Sequence, residues 1–90
     1  ICVGALPLAK SGILTKRRAT TYHLLGGKRR KQLGEMGSEV VDAPIVCDGN
    51  VITSTSPATA VDVALALLEI LTSRENMSRI QELMGFKPNR

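Results

Sequence analysis

Apolar and polar positions along this chain change their spacing several times, and each change marks an element. Val3 to Lys10 is densely apolar, with Pro7 near the first turn, where a missing N–H costs least. It predicts a short helix, ended by Ser11-Gly12. Arg18-Ala19-Thr20-Thr21-Tyr22 is short and partly β-branched and predicts a strand. Gly26-Gly27 breaks the chain, and Lys28 to Met36 predicts a basic, weakly apolar helix closed by Gly37. Glu39 to Val41 predicts another strand. Pro44 to Cys47 and Val51 to Ser54 flank Asp48-Gly49-Asn50, the pattern of a hairpin. Thr55-Ser56-Pro57 opens a long helix from Ala58 to Thr72. Its polar residues Asp62 and Glu69 share one narrow face, which predicts burial of the rest. Ser73 is placed to cap a last amphipathic helix with Met77, Ile80 and Met84 on one side and Gly85 as its stop. Helices alternating with short strands argue for an α/β fold.

Composition sharpens this. Tyr22 and Phe86 are the only aromatic residues, so a core must be aliphatic and alanine-rich. The two cysteines, with no secretory signal, do not suggest a disulfide framework and favour a reducing, cytoplasmic setting. The stretch from Ala58 to Leu71 is too short to span a bilayer and contains Asp62 and Glu69. The net charge of +4 comes mainly from Lys16-Arg17-Arg18 and Lys28-Arg29-Arg30-Lys31. Such runs can neutralise phosphates, but no aromatic residue interleaves with them, so a solvated helix face is favoured over nucleic-acid binding.

Cys2 carries the chemistry. A cysteine followed at once by a helical pattern, with glycine two residues on, looks like a nucleophile elbow. The N–H groups and positive end of a helix favour a thiolate at that place. The same geometry makes the Val3 backbone N–H an oxyanion donor. An elbow needs a strand feeding it, and only Ile1 is present for that strand. The expectation is therefore that this chain is the C-terminal part of a larger domain, its N-terminal half missing or on a separate chain, and that the isolated segment exposes an apolar face and aggregates. Cys47, in a valine-rich strand, reads as core packing. His23 is either a proton carrier near the sulfur or a solvated loop histidine. Tyr22 either binds a substrate carbonyl or packs in its strand. The Ser54-to-Ser56 hydroxyls, Ser56 among them, either line a pocket or cap the following helix, with capping favoured.

Ile1-Cys2-Val3-Gly4-Ala5, then Leu8 to Leu14, then Arg18 to Tyr22, followed by Asp48 to Ser54 and Ser56 to Ala60, resembles the ThiJ/PfpI family. The resemblance implies a flavodoxin-like, class I glutamine-amidotransferase-like sandwich of which this chain is roughly the second half. It implies no cofactor and no metal, a homodimer, and an N-terminal half that supplies an oxyanion donor and an acidic residue to the cysteine. Its protease-like branch has histidine directly after the nucleophile. Val3 stands there, which disfavours peptidase or amidase action. Many members have proline where Ala5 stands here. The parkinsonism-linked branch has histidine after Thr-Thr; here Tyr22 takes that register and His23 falls one later, a slip that reverses side-chain direction on a strand.

The favoured function is cysteine-dependent, glyoxalase- or deglycase-like action on a small electrophilic substrate, with Cys2 and His23 catalytic and Tyr22 and Ser56 binding. Alternatives are isocyanide hydration, a redox-sensing role through Cys2, and a chaperone-like or nucleic-acid-binding role that does not need Cys2.

Overall fold

The computed structural model describes residues 1–87. The chain falls into two compact units, Ile1–Ala60 and a helical part from Val61 onward.

In the first unit, glycines end the helices and small side chains let the elements approach. A 3-10 turn, Cys2–Gly4, runs directly into helix α1, Ala5–Lys10. Gly12 stops it at φ +92°, its N–H donating to Ala9 O. Strand β1, Arg18–Ala19, then leads through an extended segment to helix α2, Lys28–Glu35. Helix α2 ends in a Schellman motif at Gly37, φ +98°. Gly37 N–H donates to Gly34 O, and Ser38 N–H reaches back to Leu33 O. Strand β2, Glu39–Val40, pairs parallel with β1 in the register Arg18↔Glu39 and Ala19↔Val40. Strands β3, Ile45–Asp48, and β4, Val51–Ser54, form an antiparallel hairpin. Of its two turn residues, Gly49 alone has positive φ, +59°, the type II′ pattern.

The hairpin meets β1 through side chains rather than a backbone ladder. Arg17 and Ala19 carbonyls face β2, accepting from Glu39 N–H at 2.8 Å and Val41 N–H at 2.9 Å. The alternate N–H groups of the strand face the other way. Arg18 N–H donates to Asp48 Oδ2 at 2.7 Å and Thr20 N–H to Thr53 Oγ1 at 2.9 Å. Arg17 adds a bond from its guanidinium to Asn50 Oδ1 at 3.2 Å. These contacts place Arg18 beside the hairpin turn and Thr20 beside the end of β4, so β1 and β4 run in the same direction. Ala5, Ala9, Leu14, Ala19, Leu33 and Val51 form the core, with Leu6 and Val40 against it. Its aliphatic, alanine-rich character is the one expected from composition. Leu14 and Leu33 are fully buried, each worth about 1.5–3 kcal/mol relative to exposure.

The second unit contains α3, Ala60–Leu71, and α4, Arg74–Leu83. The expected Ser73 cap forms: Asn76 N–H donates to Ser73 Oγ at 3.0 Å. Gly85, φ +87°, closes α4 with a second Schellman motif, Gly85 N–H to Glu82 O and Phe86 N–H to Gln81 O.

Several expectations are corrected. The strand predicted to reach Tyr22 stops at Ala19, where pairing with β2 ends at Ala19↔Val40, and on the opposite edge Thr20 N–H goes to the Thr53 side chain rather than to a strand backbone. The helix predicted from Ala58 begins as a 3-10 turn, Pro57–Thr59. Cys47 is exposed, not core: alternation on β3 turns Val46 inward and Cys47 outward. Leu65 is the one buried residue of α3, whereas Leu67, Ile70 and Leu71 are exposed, the last at 72%. That helix is apolar on more sides than this chain covers. In α4 Met77 is buried, but Met84, on the same face at the C-cap, is exposed.

Candidate active site

The peptide at Cys2 is unusual before any chemistry is considered. Its φ is +57°, in the left-handed region that a side chain with a Cβ rarely adopts. Such residues cost about 1–3 kcal/mol and gather at functional sites. Gly4 does not make the corner, as its place in the motif suggested: its φ is −57°, and a Cβ there would meet nothing within 4 Å. Cys2 makes the sharp turn itself, then the chain enters the 3-10 turn and α1 with Gly4 N–H donating to Ile1 O. Cys2 is half-buried.

A threonine pins this corner. Thr21, fully buried, donates from Oγ1 to Cys2 O at 2.8 Å. Since β1 and β4 run the same way, their carboxyl ends, Thr20-Thr21 and Ser54-Thr55, lie on the same side of the two strand pairs, and this bond puts Cys2 there too. Sites in open α/β sheets form outside the carboxyl ends of strands. Thr20, Thr21, Thr53, Ser54 and Thr55 are all buried, and Thr20 Oγ1 and Ser54 Oγ have no hydrogen-bond partner among the described residues. Sequence reasoning missed Thr20, Thr21 and Thr53. The available signal was a hydroxyl doublet and a hydroxyl run at two strand ends that the core pattern leaves without apolar residues.

The other candidates are placed as follows. Val3, whose N–H is the first after the cysteine, lies in the 3-10 turn with its side chain exposed. Tyr22 is half-buried and His23 exposed, their rings in an edge contact with centroids 6.1 Å apart. Ser56 is half-buried and extended; its side chain makes no capping bond, contrary to the favoured expectation, and its carbonyl accepts instead from Thr59 N–H and Thr59 Oγ1. No hydrogen bond among the described residues joins His23, Tyr22 or Ser56 to Cys2. The basic runs are partly engaged in structure: Arg17 on the hairpin turn, and Arg30 in an ion pair with Asp42 at 2.9 Å. Among the described residues no cluster of three or more His, Cys, Asp or Glu is arranged to hold a metal, and no helix is long and apolar enough to cross a membrane.

A sequence profile of the DJ-1/PfpI family matches residues 1–70. The chain belongs to the DJ-1/PfpI family. Within it, the chain is 36% identical over 85 residues to the glutathione-independent glyoxalase DJ-1 of Schizosaccharomyces pombe, covering 94% of this chain and 42% of that protein. It is 31% identical over 91 residues to the isonitrile hydratase of Pseudomonas putida, covering 98% of this chain and 37% of that protein. The solved structure of Schizosaccharomyces pombe DJ-1 superposes with a TM-score of 0.80 at 31% identity, over 96% of this chain and 43% of that one. The fold is therefore the flavodoxin-like fold of the family, as expected, and the chain spans about two fifths of the length of these relatives.

Proposed function

We propose that this is a cysteine-dependent member of the family acting on reactive aldehydes or their adducts by glyoxalase- or deglycase-like chemistry. The observation that carries the reading is the left-handed Cys2 backbone at the entrance to α1, on the side where the carboxyl ends of β1 and β4 lie. The relative named as a glutathione-independent glyoxalase supports the substrate class.

In the proposed step the Cys2 thiolate adds to the carbonyl carbon. A C–S bond forms, and the carbonyl π pair moves to oxygen. The oxyanion accepts a hydrogen bond from the Val3 N–H and takes up a proton to give a hemithioacetal. Tyr22 and Ser56 hold substrate oxygens. His23 carries protons together with an acidic residue of an N-terminal half, in the same chain or a second one. The exposed apolar residues Ile1, Val3, Leu8 and Ile13 around the first helix give such a half a surface to cover. A cytoplasmic homodimer is part of the same reading.

Isonitrile hydration is the second reading, favoured by the hydratase relative; there Cys2 adds to the isonitrile carbon and gives a thioimidate. The test is turnover of methylglyoxal and of an alkyl isonitrile by the full-length natural protein and its Cys2→Ala variant. The expected result is methylglyoxal turnover that falls at least about a thousandfold in the variant, as when a nucleophile is removed. Consumption of isonitrile alone moves the assignment to the second reading. Full methylglyoxal turnover in folded Cys2→Ala overturns both, and no turnover of either substrate leaves a redox-sensing or chaperone role.

A further inference from the structure

We propose that Thr21 is a positioning residue for the Cys2 nucleophile, its buried hydroxyl fixing both the elbow and the oxyanion donor. This rests on the reading of Cys2 as the nucleophile.

A trans peptide is one rigid plane in which the carbonyl of one residue and the N–H of the next point in opposite directions. The Cys2 carbonyl and the Val3 N–H belong to one such plane. Thr21 Oγ1 holds the carbonyl oxygen at 2.8 Å. A backbone N–H at the start of α1 also donates to Cys2 O; together with it, the Thr21 bond fixes the direction of the Val3 N–H and turns the negative end of the carbonyl away from the side on which an oxyanion would form. It also keeps Cys2 at φ +57°, a conformation that the residue leaves when unrestrained. The clamp is itself backed by buried structure. Thr20 N–H is bound to Thr53 Oγ1 at 2.9 Å, and Ala19 O is bound to Val41 N–H, so Thr21 is carried by both neighbours of β1. Thr21 is fully buried, which leaves its hydroxyl no water to exchange partners with.

Thr21→Val keeps the shape and removes the donor; Thr21→Ser keeps the donor and removes the methyl. Two readouts apply, both in the full-length natural protein. The first is iodoacetamide alkylation of Cys2 measured by mass spectrometry against exposed Cys47 as the internal reference. The second is methylglyoxal turnover. Thr21→Val is expected to lower the Cys2-to-Cys47 labelling ratio and to lower kcat about ten- to a hundredfold, the scale of a misplaced reacting group. KM is expected to hold, because the oxyanion contact is made in the transition state. Thr21→Ser is expected to retain the natural ratio and kcat. An unchanged ratio and kcat in Thr21→Val overturns the proposal, as does a loss in Thr21→Ser equal to that in Thr21→Val. If Thr21→Val does not fold, Thr21→Ala carries the same test. The labelling ratio needs no substrate, so it judges Thr21 even where turnover fails to support Cys2 as the nucleophile.

Discussion

The first sixty residues and the helices that follow are held by different kinds of interaction. In the first unit, groups far apart in sequence decide the structure: Thr21 on Cys2, Thr53 on Thr20, Asp48 on Arg18, and a core assembled from α1, α2, β1 and β4. In the second, the specific bonds are local: Ser73 on Asn76, Thr72 on Asn76, and Gly85 closing its own helix. Most of the larger apolar side chains there, Leu67, Ile70, Leu71, Leu83 and Met84, remain exposed. Non-local hydrogen bonds can hold a backbone in a conformation it would not choose, which a nucleophile elbow needs. Local caps only terminate what propensity has already started. The candidate site accordingly lies in the first unit.

If that contrast is right, substitutions in the two units should differ in size and in sign. The largest loss is expected from Leu33→Ala, which empties a fully buried site in the first core. Urea denaturation should show a loss of about 2–5 kcal/mol. A loss below that range would mean that the core collapses around the gap and is not the framework described. Next comes Thr53→Val, which leaves the buried Thr20 N–H without its acceptor and should cost about 1–3 kcal/mol. Its counterpart is Thr20→Val. Thr20 Oγ1 is buried without a partner among the described residues, so replacing it with a methyl should be neutral or stabilising, by about 1 kcal/mol at most. Equal destabilisation by the two would show that packing, not hydrogen bonding, sets the requirement at this strand end. In the helical unit, Ser73→Ala should remove about 1 kcal/mol. Amide exchange should quicken chiefly in the first turn of α4, and a loss matching that of Leu33→Ala would erase the distinction between the units.

Much of the layout was legible because its signals are local. Ser73 caps, Gly37 and Gly85 stop helices, and Gly49 turns the hairpin, each for a reason contained within a few residues. A corner at the cysteine was legible too, and it is Cys2 itself, not Gly4, that takes the positive φ. The misreadings share a cause. Cys47 was assigned to the core from a valine-rich neighbourhood, yet strand alternation turned it outward. Ser56 was read as a cap, but its hydroxyl makes no capping bond and its carbonyl is held by Thr59. Tyr22 was assigned to a strand whose pairing with β2 ends at Ala19, and toward the hairpin a side chain replaces a backbone ladder.

The sequence by itself determined the order of elements, the aliphatic character of the core and the family, and it singled out Cys2 as the candidate for chemistry. Each rests on residue type, on spacing within an element, or on motifs that stay contiguous. Only the tertiary structure decided which hydroxyls matter. Thr20, Thr21 and Thr53 look like ordinary β-formers in the chain, and they acquire roles only when parallel β1 and β4 bring their ends together beneath Cys2. A hydrogen bond between residues nineteen positions apart leaves no periodic trace in a sequence, because its geometry is set by the packing of the strands between them.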